Sequence, residues 1–357
     1  MKNYIHICWC ILYFTACHES SDKSDFLVIP VDVNQNYPVR LSEISEEIQK
    51  VELETSDDCL IKFIEKVLLV EDRIFVLDRQ AGGIIQVFDY SGKFLFSINK
   101  RGQGPGEYLT ILNISADEVN NHIYIASPNK IIRYASDNGN FIDECTRVRF
   151  PEYIRFENDL LHVFDYNPGI PNKNNTFLNT TVMFRFRRDW QMIDSVLIKS
   201  VELNAITGTL LPNIDFISQD NLNNLFVYYP VMLNEPIVRD TLYKLNESVL
   251  EPYIKLKFSD ENNLKRNKHL LSISIVSNLL IAEYISKSDK VKKYFYFNFK
   301  NKTGKNMLNG FLDDICNTGF AEIRLLNNNH FYYVKEVKDL SEYKEEPNPT
   351  LYIGKFK

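Results

Sequence analysis

Gly102, Gly104 and Gly106 alternate along Arg101-Gly102-Gln103-Gly104-Pro105-Gly106-Glu107-Tyr108, a spacing that a nucleotide-binding loop also uses. Phosphate binding by such a loop requires a following helix whose free N–H groups meet the anion. Here Pro105 interrupts the run, and Leu109 to Ser115 reads as a strand. The stretch is therefore expected to be a turn between two sheets, with Tyr108 as the plug between them. Beyond residue 16 the histidines are His18, His122, His162, His269 and His330. None forms a His-x-x-x-His pair or stands beside a cysteine cluster, so the ligand spacing of a metal site is absent. His122, His162 and His330 each open or sit near the second strand of a repeated unit. They could converge on a channel, but strand-edge histidines facing solvent is the plainer expectation. There is no Gly-x-Ser-x-Gly elbow. Acid pairs for glycoside cleavage cannot be recognised by spacing, because their two carboxylates come from separate loops. Asp78, Asp89 and Asp165 end strands in corresponding places, which turn capping explains. No catalytic residue, metal or cofactor is assigned.

The remaining chemistry lies at cysteines and hydroxyls. Lys2 and the apolar run Ile5 to Phe14 make a segment too short to span a bilayer as a helix. It ends Phe14-Thr15-Ala16-Cys17, which resembles the lipobox of bacterial lipoproteins, with Phe where Leu is usual. That resemblance implies lipidation of Cys17 after removal of residues 1–16. Each buried CH₂ of an acyl chain contributes about 0.8 kcal/mol, so several chains on one cysteine would hold a soluble domain firmly. His18 to Asp25 is polar and acidic, and reads as the start of a tether over residues 17–40. Acidic residues just after such a cysteine resemble the surface-export signals of Bacteroidota lipoproteins. The expected place is the outer membrane, facing periplasm or cell surface, with the lipid as the only membrane contact. Cys59, Cys145 and Cys316 are odd in number and scattered, so buried hydrophobes are expected rather than a disulfide framework. Asp194-Ser195-Val196 and Asp240-Thr241-Leu242 resemble the O-glycosylation acceptor of Bacteroidota envelope proteins, which makes Ser195 and Thr241 candidates for modification.

Charged residues are 25% of the chain and the net charge is −6, which does not favour a nucleic-acid partner. Arg185, Arg187 and Arg188 form the nearest basic cluster, and alternation on a strand would split them between two solvated faces. Hydrophobic residues make up 45% and aromatic residues 13%, mostly Phe and Tyr, which suit a pleated, half-buried surface.

These residues are positioned by a repeat. Ile64–Val70, Arg73–Asp78, Ile84–Asp89 and Phe94–Ile98 are four β-prone runs separated by Asp, Gly and Ser turn chemistry, the pattern of an antiparallel meander. The pattern returns about 48 residues later, through Ile111–Ala116, His122–Ala126, Lys130–Tyr134 and Phe141-Ile142. Later copies run through Tyr153–Phe156 to Met192–Leu197, Ile214–Ser218 to Tyr253–Phe258, and Leu270–Val276 to Tyr294–Phe299, the last without a clear final strand. A sixth copy, Ala321–Leu325, His330–Val334 and Thr350–Phe356, holds only three strands. Val51-Glu52-Leu53-Glu54 is β-prone and unassigned. Placed as the missing outer strand, it would close a ring and hide two sheet edges. The fold class predicted is all-β: a six-bladed propeller of four-stranded antiparallel blades over residues 41–357, closed by an N-terminal strand. Ser42–Lys50 and Asp260–Lys268 are the best candidates for short helices. Asn167–Thr180 and Asn204–Pro212 read as long loops.

Ile74 to Tyr108 resembles an NHL-type repeat, and its Gly-Gln-Gly-Pro-Gly-Glu-Tyr run is similar to that of six-bladed β-propeller lipoproteins of Bacteroidota. Val51–Thr55, Asp240–Leu245 and Asn348–Ile353 extend the resemblance. It implies a propeller and carries over no catalytic residues. The expected function is an envelope-anchored, non-catalytic module that binds a protein, peptide or glycan. The alternative is a propeller hydrolase or lyase acting on a saccharide or lactone. Trp190 is the only Trp beyond the leader, which disfavours a Trp sugar platform.

Overall fold

The computed structural model describes residues 26–79, 83–172, 174–206, 214–230, 240–260, 268–286, 290–327, 329–336 and 347–357. Three elements precede the first blade: β1 (Leu27–Val31), the one-turn helix α1 (Leu41–Ile44) and β2 (Ser45–Glu52). Blade one is β3 (Lys66–Val70), β4 (Arg73–Asp78), β5 (Ile84–Asp89) and β6 (Phe94–Ile98). Blade two is β7 (Asn113–Asp117), β8 (His122–Ser127), β9 (Lys130–Ala135) and β10 (Phe141–Cys145). Blade three has the longest strands: β11 (Pro151–Glu157), β12 (Leu160–Pro171), β13 (Phe177–Phe186) and β14 (Met192–Leu203). Blade four is β15 (Ile217–Gln219), β16 (Leu225–Val227), β17 (Thr241–Asn246) and β18 (Val249–Phe258). Blade five is β19 (Lys268–Val276), β20 (Leu279–Ser286), β21 (Lys292–Asn298) and β22 (Thr303–Leu308). A small hairpin, β23 (Phe311–Asp313) and β24 (Gly319–Ala321), leads to blade six, β25 (Arg324–Leu325), β26 (His330–Lys335) and β27 (Thr350–Phe356).

The sixth sheet is completed by β2, which pairs antiparallel with β27, placing Val51 opposite Leu351 and Lys50 opposite Tyr352. The ring is therefore six four-stranded antiparallel blades, closed by a strand from the start of the chain. First strands of neighbouring blades approach one another around the axis. Period-two alternation explains how each blade serves two neighbours. On β4, Ile74 and Val76 pack against Tyr332, Leu351 and Ile353 of blade six, while Phe75 and Leu77 pack against Ile114, Ile123 and Ile132 of blade two. Similar apolar seams join blades two and three, three and four, four and five, and five and six. With both faces buried, a strand reads as a continuous apolar run, as β4 does.

Several elements depart from expectation. The helix predicted at Ser42–Lys50 is a single turn ending at Ile44, and from Ser45 the chain is strand. Free backbone groups on the β27 edge outweigh helical propensity there. The closing strand consequently starts earlier than Val51. Most of Asn167–Thr180 is a hairpin extending β12 and β13, with Asn167 opposite Thr180 and Pro171 opposite Phe177. Blade five has the final strand its sequence concealed, β22. The helix predicted at Asp260–Lys268 lies largely outside the described residues, as do residues 207–212 of the second predicted loop.

Residues 27–31, within the predicted tether, form β1. It adds parallel to the outer edge of blade four, pairing Leu27 with Ile254 and Val31 with Phe258, and making that sheet five-stranded. Ile29 and Val31 face inward and are buried, while Leu27 and Val28 are exposed. The chain then crosses blade five, where the Tyr37 N–H donates to the Asn306 carbonyl at 2.7 Å and Lys305 pairs with Glu43 at 2.9 Å. It reaches blade six as β2. The segment from residue 27 to residue 52 thus straps three consecutive blades.

Candidate functional site

The glycine-rich run lies between β6 and β7, and it is a clamp of carboxylates and hydroxyls. The Gly104 N–H donates to Glu107 at 2.9 Å and the Gly106 N–H to Glu144 at 3.0 Å. Lys130 donates to the Gly104 carbonyl at 2.9 Å and pairs with Glu144 at 3.2 Å. Gly106 has φ +68°, and a Cβ there would lie 2.7 Å from the Phe141 ring, so only glycine fits. Tyr108 is fully buried; its hydroxyl lies 2.8 Å from the Gly83 carbonyl and 3.0 Å from that of Ile98, and accepts from the Lys100 N–H at 3.2 Å. Gln103 and Pro105 are exposed. The N–H groups a phosphate would need are occupied by the protein's own anions, and the next element is the strand β7.

The other sequence candidates are scattered. Ser195 is exposed on β14, the outer edge of blade three, and the preceding Asp194 is held by Arg185 and Ser248. Thr241 is half-buried, with its hydroxyl donating to Asp240 at 2.9 Å. Cys17 lies outside the described residues. Asp89 accepts from the Ser91 N–H at 2.8 Å and caps its own turn, but Asp78 accepts from the Lys62 N–H at 2.6 Å and Asp165 from the Phe150 N–H at 2.6 Å, so these two hold the segment that enters the first strand of their blade rather than capping a turn.

The histidines share no centre: His122, His162 and His330 sit on separate blades beside different groups. Contrary to the solvent-facing expectation, His162 is fully buried. It lies in a row across blade three, Arg155–His162–Arg185–Asp194, set by strand register. Burial first, then the Arg185 guanidinium, pushes its pKa down to about 4. Of the arginine cluster, Arg187 is exposed as expected, but Arg185 and Arg188 are half-buried in ion pairs. Arg185 pairs with Asp194, and Arg188 grips the buried Asp117 at 2.5 Å and Asp159 at 2.9 Å. Among the described residues, no group of three His, Cys, Asp or Glu side chains is placed to hold a metal ion.

A cavity absent from the sequence reading sits on the propeller axis. It opens on the face built by the turns between first and second strands, has a volume of about 350 Å³, and draws its walls from five blades. Leu68 and Leu69 come from blade one, Ser115 and Glu118 from blade two, Arg155, Glu157 and Asn158 from blade three, Gln219 from blade four, and Asn327 from blade six. The turn after β11 holds Asn158 and Asp159 at φ +51° and +62°, a pair that suits Asn and Asp. Arg155 donates to one oxygen of Glu157 through two nitrogens, at 2.9 and 2.6 Å. Gln219 donates to the Asn158 side-chain oxygen at 3.0 Å. Deeper along the axis the space shrinks to pockets of about 10 and 30 Å³. There Lys66 meets Asn113 at 3.1 Å and Asp215 at 3.6 Å, with the Tyr153 ring 5.1 Å from its ammonium. Burial lowers the Lys66 pKa, Arg155 adds to the effect, and Asp215 opposes it. Lys66 and Asp215 thus stand where the axis narrows.

Its electrostatics are uneven. Burial alone would raise Asp117, but Arg188 and Asn120 outweigh it and hold that carboxyl low. Glu118 has one side open to water and the other crowded by the pocket wall. That crowding lifts its pKa, with Glu157 adding and Arg155 opposing. A pocket of this size and mixture suits a small polar ligand or the tip of a larger one. One sequence signal pointed to it: charged Arg155 and Glu157 sit within an apolar first strand, where a side chain facing the axis need not be apolar.

Among solved structures, a Bacteroides fragilis NCTC 9343 protein assigned as exported matches with TM-score 0.62 and 17% identity, over 93% of this chain and 99% of that one. A member of the DUF4221 family from Bacteroides vulgatus matches with TM-score 0.48 and 11% identity, over 88% of this chain and 97% of that one. These likenesses concern the fold. No curated protein matches the chain. Among the described residues no helix is long and apolar enough to cross a membrane. The profile of a domain of unknown function, DUF4934, matches residues 26–355.

Proposed function

The chain belongs to the DUF4934 family, and from that premise we propose that it is an exported binding module, held to the outer membrane by lipid on Cys17, with the axial pocket as its receptor site. The observation that carries the reading is the axial cavity of about 350 Å³ whose polar walls are already oriented by one another, through Arg155–Glu157 and Gln219–Asn158. Side chains locked before a ligand arrives lose little entropy on binding. The lipobox-like leader and the exported Bacteroides fragilis fold relative support an envelope location. The NHL-like repeat supports descent from propellers that present loops on a rigid scaffold. The bound species is a peptide, a glycan or an exposed part of an envelope protein.

The test is capture and thermal-shift screening of envelope peptides and glycans against the full chain in detergent, beside Asn329→Trp. Asn329 lines the mouth from an exposed position, so the indole would block entry without disturbing the core. A ligand of the pocket is expected to bind Asn329→Trp at least about tenfold more weakly. Unchanged affinity would remove the pocket reading, and turnover of the captured compound would favour the hydrolase or lyase.

A further inference from the structure

We propose that the ligand of the axial pocket carries a primary ammonium or guanidinium group beside a hydrogen-bond acceptor; this rests on the axial pocket being the binding site. Most of the charges at the pocket are already spent on one another. Four carboxylates, Asp117, Glu118, Glu157 and Asp159, belong to its wall, against one guanidinium of the wall, Arg155, and a second behind it, Arg188. Arg188 is used by Asp117 and Asp159 together. Arg155 places two donors on Oε1 of Glu157, which leaves Oε2 without a partner among the described residues. Glu118 forms no ion pair among the described residues. One whole carboxylate and half of another thus remain as acceptors in the same cavity without a hydrogen-bonded cation among the described residues, Arg155 acting on Glu118 only through space.

An anionic ligand would find both arginines occupied and Glu118 repelling it. A neutral ligand would leave the surplus charge uncompensated in a partly desolvated space, which is costly. A cation meets it directly, by charge-assisted hydrogen bonds about twice as strong as neutral ones. A second and independent feature specifies what lies next to that cation. Ser115, 3% exposed, lines the cavity and accepts from the Phe156 N–H at 2.8 Å. Its own proton has no acceptor among the described residues, so a ligand carbonyl or hydroxyl would complete it. An amine beside a carbonyl or hydroxyl occurs in a lysyl peptide and in an amino sugar. The chemistry the pocket reads is the same in both.

The experiment is isothermal titration of the full chain in detergent with four probes. These are the dipeptide Ala-Lys-amide, its doubly acetylated form, the disaccharide of glucosamine, and its N-acetylated form. At least one free-amine probe should bind at least about tenfold more tightly than its acetylated partner. The preferred backbone then tells peptide from sugar. Raising salt from about 0.05 to about 0.5 M should weaken that binding, as expected for a screened charge contact. Glu118→Gln, on an exposed turn where folding is not at stake, should lower affinity at least about fivefold. Equal or tighter binding of the acetylated probes, indifference to Glu118→Gln, or no binding by any of the four would overturn the inference. An acetylated probe that binds and is lost in Asn329→Trp would overturn the amine but leave the pocket reading standing. Binding untouched by Asn329→Trp would remove both.

Discussion

Tyr108 and His162 are both fully buried, and burial has opposite consequences for them. The Tyr108 hydroxyl sits among the Gly83 carbonyl, the Ile98 carbonyl and the Lys100 N–H, so it ties the linker after blade one back onto that blade. Tyr108→Phe keeps the ring and removes those bonds. It should cost about 1–3 kcal/mol, the penalty of leaving buried polar groups unpaired, measured by urea unfolding. Among the described residues neither ring nitrogen of His162 makes a well-formed hydrogen bond, and the ring lies between Arg155 and Arg185 in strand register. With its folded pKa near 4 and an unfolded value of about 6.5, the unfolded chain binds a proton that the folded chain refuses. Stability therefore rises with pH across that window. The contribution is complete above about pH 6.5 and is lost as pH falls through about 4, by roughly 3 kcal/mol in total. His162→Leu should flatten the slope between those limits. An unchanged slope would assign the pH dependence to other groups.

At the scale of elements, the N-terminal segment contributes two strands with different duties. β2 closes the ring, and Val51 is buried opposite Leu351. Val51→Asp would put an unpaired charge into the seam between blades six and one, at a cost of about 3 kcal/mol or more. β1 only thickens blade four. Ile29→Ala should cost about 2–4 kcal/mol through the cavity beneath it, and hydrogen exchange should quicken in β1 before β2. The two strands sit on different blades, so the costs of the two substitutions should add. A large coupling between them would show that the strap behaves as one unit. Glu118 and Asn158 belong to this scale too, because turn geometry decides where they point. Asn158 and Asp159 hold positive φ, which lets a two-residue turn carry two polar side chains to the pocket.

The described residues form a ring of six blades with a pocket on its axis. Cys17 lies ten residues before Leu27, so a lipid there would hold the rim of blade four within about 35 Å of the membrane. Such an anchor would act at the perimeter rather than at the axis, and would leave the pocket face free to meet ligands. Cys17→Ala is expected to move the protein from the membrane fraction to the soluble fraction. A variant that still sediments with membranes would remove the lipid anchor from the proposal. Intact-mass measurement of native protein tests the hydroxyl sites, where exposed Ser195 is the more accessible and Thr241 already donates to Asp240.

The blades were legible in the sequence because a blade is local. Its strands follow one another within about 50 residues, its turns carry their own Asp, Gly and Asn, and both of its faces are apolar. The turn role of the Gly102–Tyr108 run was legible for the same reason, since Pro105 and the strand after it lie within ten residues. Ring closure could be inferred from a missing strand at one end of the chain and a spare one at the other. Tertiary structure alone decided the rest. Ser45–Lys50 became strand because a distant edge was free. Leu27–Val31 joined blade four, more than 220 residues away along the chain. His162 was buried by the blade beside its own, and a pocket was assembled from five blades that no sequence window contains. Propensity and pattern act over a few residues, whereas burial, charge pairing and cavity shape belong to neighbours that only closing the ring supplies.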